Sequence, residues 1–222
     1  AVDAGGNKTA EYLSRSEKND FANMTFDERT GIGALVWNAG SDGRVFTSDV
    51  FEKYEFKVWN PDGSLDRIVG REYQPRERSE QEMERNAPRV MIRSGNRTQT
   101  PEVKTSKTDR DIQQIYPRED GTVWVLSSRG AFDTPDGVFA TFDVFDRDGR
   151  FTRQISFNGE GDYAEDGVYI VGDRLYVVTD LRSARRSMFG AGDEDAEEDE
   201  ALDEEPMSVI CYDFGTALQA MK

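Results

Sequence analysis

The residue types that this chain lacks limit the chemistry it can perform. Its 222 residues contain no histidine and a single cysteine, Cys211. This excludes Ser-His and Cys-His nucleophile pairs, histidine metal ligands and the commonest general base. Carboxylates make up about a fifth of the residues, so pairs such as Glu165 with Asp166, or Asp133 with Asp136, arise by chance. The sequence therefore predicts no enzyme, no catalytic residue and no cofactor.

One short motif has the residue types of a metal site. Asp146-Arg147-Asp148-Gly149 has the D-x-D-G opening of a calcium loop, but it lacks a third ligand and the glutamate that ends such a loop. An Asp-Gly pair between two alternating apolar runs is instead typical of a β-hairpin turn. We therefore expect a turn with Gly149 at positive φ, and no bound metal.

The remaining candidate for function is a strongly charged segment near the C-terminal end. Ten acidic residues lie between Asp193 and Glu205, in a chain whose net charge is -16. This balance argues against nucleic acid or anionic lipid as a partner, because both attract clusters of lysine and arginine. The acidic run is expected to be solvated, and an arginine cluster precedes it in the same insertion. The partner-binding candidates from this segment are Arg182, Arg185, Arg186, Asp193, Glu194 and Asp195.

Three stretches of alternating large apolar and polar residues must position these segments. They are Tyr54 to Val69, Val138 to Phe157 and, more weakly, Met207 to Leu218. Each is predicted to be a β-hairpin, because side chains in a strand alternate between two faces. No apolar run approaches the roughly 20 residues of a membrane-spanning helix, so direct membrane insertion is not expected.

A further pair of predicted strands precedes each hairpin. The first strands of the pairs lie at 34–37, 112–116 and 168–171, and the second strands at 44–47, 122–126 and 174–178. Four antiparallel strands per repeat, with a spacing of 52 residues from Gly121 to Asp173, are typical of a propeller blade. The sequence predicts an all-β chain of about three such blades forming an incomplete propeller, with a β-sandwich as the alternative.

The predicted repeats define the domain organisation. Residues 1–30 are expected to form an N-terminal arm, with a short helix around 9–14, and residues 31–222 the propeller-like domain. Its repeats cover about 31–75, 111–160 and 165–218, and its insertions 76–110 and 181–206. In the first insertion, Ser79 and Glu82 predict a capping box that opens a helix reaching about Asn86, and 94–108 is expected to be a polar loop.

Aligning the third strands of the repeats predicts which side chains are buried. Phe56, Phe142 and Val209 share one position, and Val58, Val144 and Cys211 share another on the same face. Cys211 is therefore expected to be a buried small apolar residue rather than a reactive thiol. Three blades leave two open flanks, at 34–37 and 209–212, so we expect self-association or a partner that covers them.

The long connections are expected to emerge on one side of the blades. They join either the second strand to the third or one repeat to the next, and both kinds of connection lie on the same side. Loops on a rigid scaffold are common binding sites. This side is therefore the predicted partner-facing surface, with tolerated surface insertions as the alternative.

Four segments resemble bacterial six-bladed β-propeller proteins of the extracytoplasmic type, which are loosely related to the NHL-repeat type. They are YEFKVWNPDGSLDRIVGREYQPRERSEQEMER (54–85), GTVWVL (121–126), FDVFDRDGRFTRQI (142–155) and DRLYVV (173–178). The resemblance covers about residues 31–218 and implies no fixed catalytic residues. Since six blades need about twice this length, it implies that the chain corresponds to the C-terminal half of such a protein.

These observations favour a non-catalytic protein-binding or structural module located in the periplasm or elsewhere outside the cytoplasm. It could be an accessory subunit of a larger, membrane-associated complex, and it could form homo- or hetero-oligomers. The alternatives are a propeller-type enzyme, such as a lactonase or lyase, and a small-ligand-binding protein.

Overall fold

Antiparallel β-strands form most of the regular structure. The computed structural model describes residues 1–14, 25–30, 34–86, 92–94, 97–99, 102–188 and 207–215. The strands, in chain order, are β1 (Thr25–Asp27), β2 (Val36–Ala39), β3 (Val45–Ser48), β4 (Glu55–Trp59), β5 (Leu65–Gly70), β6 (Ile92–Ser94), β7 (Arg97–Gln99), β8 (Glu102–Lys104), β9 (Ile112–Pro117), β10 (Val123–Ser127), β11 (Val138–Phe145), β12 (Phe151–Asn158), β13 (Gly167–Val171), β14 (Arg174–Val178) and β15 (Val209–Asp213). The helices are α1 (Glu80–Asn86), α2 (Ser128–Phe132) and α3 (Leu181–Met188).

The three predicted repeats form three meandering sheets. The first sheet has the order β2-β3-β4-β5, the second β12-β11-β10-β9 and the third β13-β14-β15. Neighbouring strands in each sheet are also neighbours in the chain, as in a propeller blade. The prediction of an all-β chain with four-stranded antiparallel sheets is confirmed. The fourth strand predicted for the third repeat lies largely outside the described residues.

Tight turns with a glycine at positive φ join the strands of each sheet. Gly43, Gly63, Gly121, Gly149 and Gly172 have φ of 81°, 87°, 87°, 83° and 56°. Glycine adopts this conformation without the steric cost of a Cβ. The predicted positive φ of Gly149 is therefore confirmed.

The residue contacts divide the chain into two compact units. The first unit contains Ala1–Asp133 and Thr141–Ile155, and the second contains Thr134–Ala140 and Ser156–Lys222. Strands β11 and β12 contribute residues to both units.

The core of the first unit lies between the first and second sheets. Phe46, Phe56 and Val58 of the first sheet pack with Val125 and Phe145 of the second sheet. The rings of Phe56 and Phe145 meet edge to face, with their centroids 5.5 Å apart. Apolar side chains on alternate positions of each strand are thus removed from water, which supplies the main stabilisation of the unit.

A buried carboxylate links the same two sheets. Asp143 is 1% exposed, and it accepts hydrogen bonds from the Tyr54 hydroxyl at 2.6 Å, Arg71 Nη2 at 2.7 Å and Gln154 Nε2 at 2.9 Å. The Arg71 guanidinium lies 4.8 Å from the centroid of the Tyr54 ring. These hydrogen bonds offset the cost of burying the charge of Asp143.

The first insertion contains more regular structure than the expected polar loop. The capping box is confirmed, because Ser79 N donates to Glu82 Oε2 at 2.8 Å and Glu82 N donates to Ser79 Oγ at 3.2 Å. The loop prediction for 94–108 was wrong in part: β6 pairs with β7, and β8 pairs in parallel with β1. The pairing of β1 with β8 joins segments that are distant in the chain, so a local pattern could not reveal it.

Ion pairs fix the two ends of this insertion. Asp109 is 3% exposed and accepts from Arg76 Nη1 and Arg78 Nε, both at 2.6 Å. Arg76 also binds Glu82 at 2.8 Å and Asp133 at 2.7 Å. Its hydrogen bond to the Glu82 carboxylate lowers the pKa of Glu82 to about 2.

The N-terminal residues do not form the predicted helix. Within residues 1–14, Val2 pairs with Lys8 in an isolated antiparallel bridge, and residues 9–14 contain no helix. Gly63 leaves room for this segment at the β4–β5 turn, since a Cβ there would lie 2.9 Å from the Glu11 carbonyl oxygen.

In the described part of the chain, no helix is long and apolar enough to cross a membrane.

Candidate protein-binding surface

The predicted hairpin turn is held by hydrogen bonds to its first aspartate. Asp146 Oδ1 accepts hydrogen bonds from the backbone N–H groups of Asp148 at 2.9 Å and Arg150 at 2.8 Å. Asp146 therefore stabilises the turn itself, as aspartate commonly does at this position. Within the described ranges, no group of three or more histidine, cysteine, aspartate or glutamate side chains could hold a metal ion.

Asp166 and Asp133, two of the four acidic residues considered as acid and base, have structural contacts. Asp166 is 6% exposed, and its carboxylate accepts from the backbone N–H groups of Asp162 at 2.9 Å and Asp180 at 3.0 Å. Asp133 pairs with Arg76 and with Arg129. Asp166 thus orients the loop that leads to β13 and the start of α3, while Asp133 joins the ion pairs around the first insertion.

The predicted arginine cluster lies on helix α3. Arg182 and Arg185 are exposed, and the Arg182 guanidinium lies 5.4 Å from the centroid of the Tyr163 ring. Arg186 lies on the same helix, and Asp193, Glu194 and Asp195 lie outside the described residues. The structure therefore places two exposed cations of the predicted set on α3, and the binding role of the full set stays a prediction.

A clearer candidate surface is one face of the third sheet. Tyr169, Tyr176 and Cys211 are paired across its three strands. Alternate residues on either side of this row share its face. We call this surface the third-sheet face. Its apolar members are Tyr169, Val171, Tyr176, Val178, Val209 and Cys211, and the ion pair of Arg174 with Asp213 lies at one end of it.

The third-sheet face is largely open to solvent. Val171 and Val209 are each 64% exposed and Tyr169 is 42% exposed. In contrast, Leu175 and Val177, on the opposite face of β14, are fully buried. Apolar side chains that lie adjacent on an exposed face are characteristic of a protein-interaction surface.

The prediction that Cys211 is buried was wrong. Its aligned residues Val58 and Val144 are 3% and 1% exposed, whereas Cys211 is exposed. Cys211 does face the same way as Tyr176, with which it pairs. Val58 packs in the core between the first and second sheets, whereas the aligned position in the third sheet is exposed.

The first sheet also exposes apolar side chains, on the face that points away from the core of the first unit. Trp37 is 62% exposed and Ile68 is 52% exposed. The register places Trp37, Thr47, Lys57 and Ile68 in one row across the sheet. Open flanks were expected at 34–37 and 209–212, and Trp37 and Val209 are indeed exposed. Ala34, however, is 1% exposed, so it is not part of the open surface.

Sequence reasoning missed how far the third-sheet face extends. The alternation within β13 and β14 places Tyr169, Val171, Tyr176 and Val178 on the same face as Val209, and this signal was present in the sequence.

Comparison of the chain with protein-family models and with curated proteins found no match.

Proposed function

We propose that this chain is a non-catalytic protein-binding or structural module that docks through its third-sheet face onto an apolar β-sheet of a partner protein. The observation that carries the proposal is the exposure of Val209 and Cys211, at positions whose counterparts in the first two sheets are buried. Burial of apolar area is the main driving force for most protein association.

The packing inside the first unit supports a β-sheet as the partner surface. There, Phe56 and Val58 of the first sheet lie against Val125 and Phe145 of the second sheet. The third sheet presents Val209 and Cys211 at the positions of Phe56 and Val58, and Tyr176 at the position of Phe46. A partner sheet with aliphatic and aromatic side chains would bury this face in the same way.

The proposal also includes the propeller architecture and a location. The strand order of the sheets, together with the resemblance of four segments to bacterial six-bladed propeller proteins, supports blades that stack side by side. The same resemblance supports a periplasmic or other extracytoplasmic site, where the chain would act as an accessory subunit of a larger assembly.

Sedimentation velocity of the isolated chain at micromolar concentrations tests the docking surface. We expect concentration-dependent self-association, because exposed apolar sheet faces on separate copies bind each other when the partner is absent. Val209→Lys should shift the population toward monomer, because it places a charge among the apolar side chains of the third-sheet face.

Val2→Lys is the matched control, since Val2 is also an exposed valine, at 69%, but lies outside both open sheet faces. It should leave the sedimentation profile unchanged. A monodisperse, cooperatively melting monomer from the unmodified chain would contradict the proposal, and so would an equal effect of the two substitutions.

A further inference from the structure

Four arginine side chains line a cleft at the turn end of the first unit. The cleft has a volume of about 460 Å³ and lies between turns of the first and second sheets. We call it the arginine cleft, after Arg44, Arg67, Arg118 and Arg147. All of its lining residues belong to the first unit, whereas the third-sheet face belongs to the second unit.

Each arginine reaches the cleft from a different segment. Arg44 directly precedes β3, Arg67 lies in β5, Arg118 follows β9, and Arg147 lies in the β11–β12 turn. No sequence motif connects these positions. Only the stacking of the first and second sheets brings their turns together.

Existing contacts hold three of the guanidinium groups in place. Arg44 Nε donates to Asp42 Oδ2 at 2.7 Å, and Arg67 Nη1 donates to the Arg147 carbonyl oxygen at 2.9 Å. The Arg118 guanidinium lies 4.9 Å from the Trp124 ring centroid. A guanidinium has five N–H donors, so the hydrogen bonds of Arg44 and Arg67 leave donors on both for a ligand.

Of the four arginines, Arg147 makes the fewest contacts through its guanidinium group. Across the described ranges its guanidinium donates to no acceptor and joins no ion pair. It lies against the backbone of Gly121, where a Cβ would be 2.7 Å from Arg147 Nε. Gly121, which has φ of 87°, therefore both permits the turn and leaves room for this side chain.

The carboxylates of the cleft only partly neutralise these cations. Asp42, Glu119 and Asp148 also line it. Asp42 is bound by Arg44, and Asp148 is bound at 2.5 Å by Arg150, which lies outside the lining. The cleft thus carries an excess of positive charge in a chain whose net charge is -16.

We propose that the arginine cleft binds a small organic anion through its phosphate or carboxylate groups. Guanidinium groups bind both in a bidentate fork geometry. Phe46 and Pro117 add apolar surface to the lining for the uncharged part of such a ligand. Inorganic pyrophosphate and citrate represent the two anion types as probes.

Isothermal titration calorimetry of the full chain at constant ionic strength tests this proposal. We expect saturable binding of at least one of the two probes, and a loss of at least about tenfold in affinity with Arg147→Gln, as for the removal of a charge-assisted hydrogen bond. Arg118→Gln should weaken binding as well, which gives a second variant should the first fold poorly.

Arg153→Gln is the matched control, because it removes the same charge from an exposed position on β12 that lies outside the cleft lining. Its affinity for the probe should stay within about twofold of the unmodified chain. The proposal fails if neither probe binds at millimolar concentration, or if Arg147→Gln and Arg153→Gln weaken binding equally. Since the third-sheet face is unchanged in all three variants, failure here would leave the self-association of the chain as it was.

Discussion

Asp111 is a buried carboxylate whose charge should destabilise the fold. It is 2% exposed, and its Oδ1 atom has no hydrogen-bond partner in the described part of the chain. Its backbone is well bound: its N–H donates to the Phe51 carbonyl at 3.1 Å, and its carbonyl accepts from Ser128 N at 3.1 Å. Burial, and secondarily the negative charge of Glu52, raise the pKa of Asp111 to about 6 from an ordinary value of 3.8.

This pKa shift determines how much Asp111 changes the free energy of unfolding, and in which direction, as the pH varies. The folded state binds the Asp111 proton more tightly than the unfolded state. Well below pH 3.8 the carboxyl is protonated in both states, so it does not lower the free energy of unfolding there. Stability is lost as the pH rises through the folded pKa. Above about pH 6 the loss levels off at about 3 kcal/mol, because each pKa unit corresponds to about 1.4 kcal/mol. At pH 4.5 the cost should be about 1 kcal/mol by the same relation.

Asp111→Asn removes the charge and keeps the shape of the side chain. We expect it to raise the free energy of unfolding at pH 8 by up to about 3 kcal/mol, and by about 1 kcal/mol at pH 4.5. Urea denaturation followed by tryptophan fluorescence at both pH values measures this difference. The comparison must be made between variants, since carboxylates with lowered pKa values, such as Glu82, act on the pH profile in the opposite direction.

Asp109→Asn is the control, two residues away and equally buried. It should destabilise the fold at pH 8 by about 1.5 to 3 kcal/mol, because it weakens the charge-assisted hydrogen bonds from Arg76 and Arg78, which keep their ion pairs with Glu82, Asp133 and Glu28. A lower stability of Asp111→Asn at pH 8, or a gain that does not change with pH, would refute the reasoning about Asp111.

Three further substitutions test the turn, the helix cap and the buried network. Gly149→Val should lower the free energy of unfolding by roughly 1 to 3 kcal/mol, because Gly149 has φ of 83° and its Cβ would lie 2.6 Å from Val69 Cγ2; an unchanged urea midpoint would contradict this. Ser79→Ala should destabilise α1 by about 1 kcal/mol, seen as faster hydrogen exchange of the Glu82 amide, and an unchanged rate would mean that the cap is not formed. Tyr54→Phe should cost about 1.5 to 3 kcal/mol by removing the hydrogen bond to Asp143, and a thermal midpoint equal to that of the unmodified chain would show that this hydrogen bond adds no net stability.

Local features of the fold could be predicted because their determinants lie within a few residues. The Asp-Gly pair at 148–149 specifies a turn, since glycine alone adopts positive φ without cost and the flanking runs alternate. Ser79 and Glu82 are one helical turn apart, so their reciprocal hydrogen bonds follow from the spacing. In each case the side chains that make the structure are also the ones that define the pattern.

Features that depend on distant segments could not be predicted in this way. Strand β1 pairs with β8 across more than 70 residues, and both strands are too short to show clear alternation. The four residues of the arginine cleft are spread from Arg44 to Arg147, and each has an ordinary sequence context. Only the packing of one sheet against the next makes them neighbours, and no local pattern contains that packing.

Cys211 shows where pattern reasoning stops and packing decides. The alignment put it in register with Val58 and Val144, and in the structure it pairs with Tyr176, but a period of two identifies only which side chains share a face. Whether that face is buried depends on what lies against it. Val58 has the second sheet as its neighbour, whereas Cys211 is exposed. An apolar sheet face left in water gives up the free energy that its burial would supply, about 25 cal/mol for each Å². The apolar residues at Tyr169, Val171 and Val209 therefore contribute to stability only when another surface covers them, and this is the physical argument for a partner at the third-sheet face.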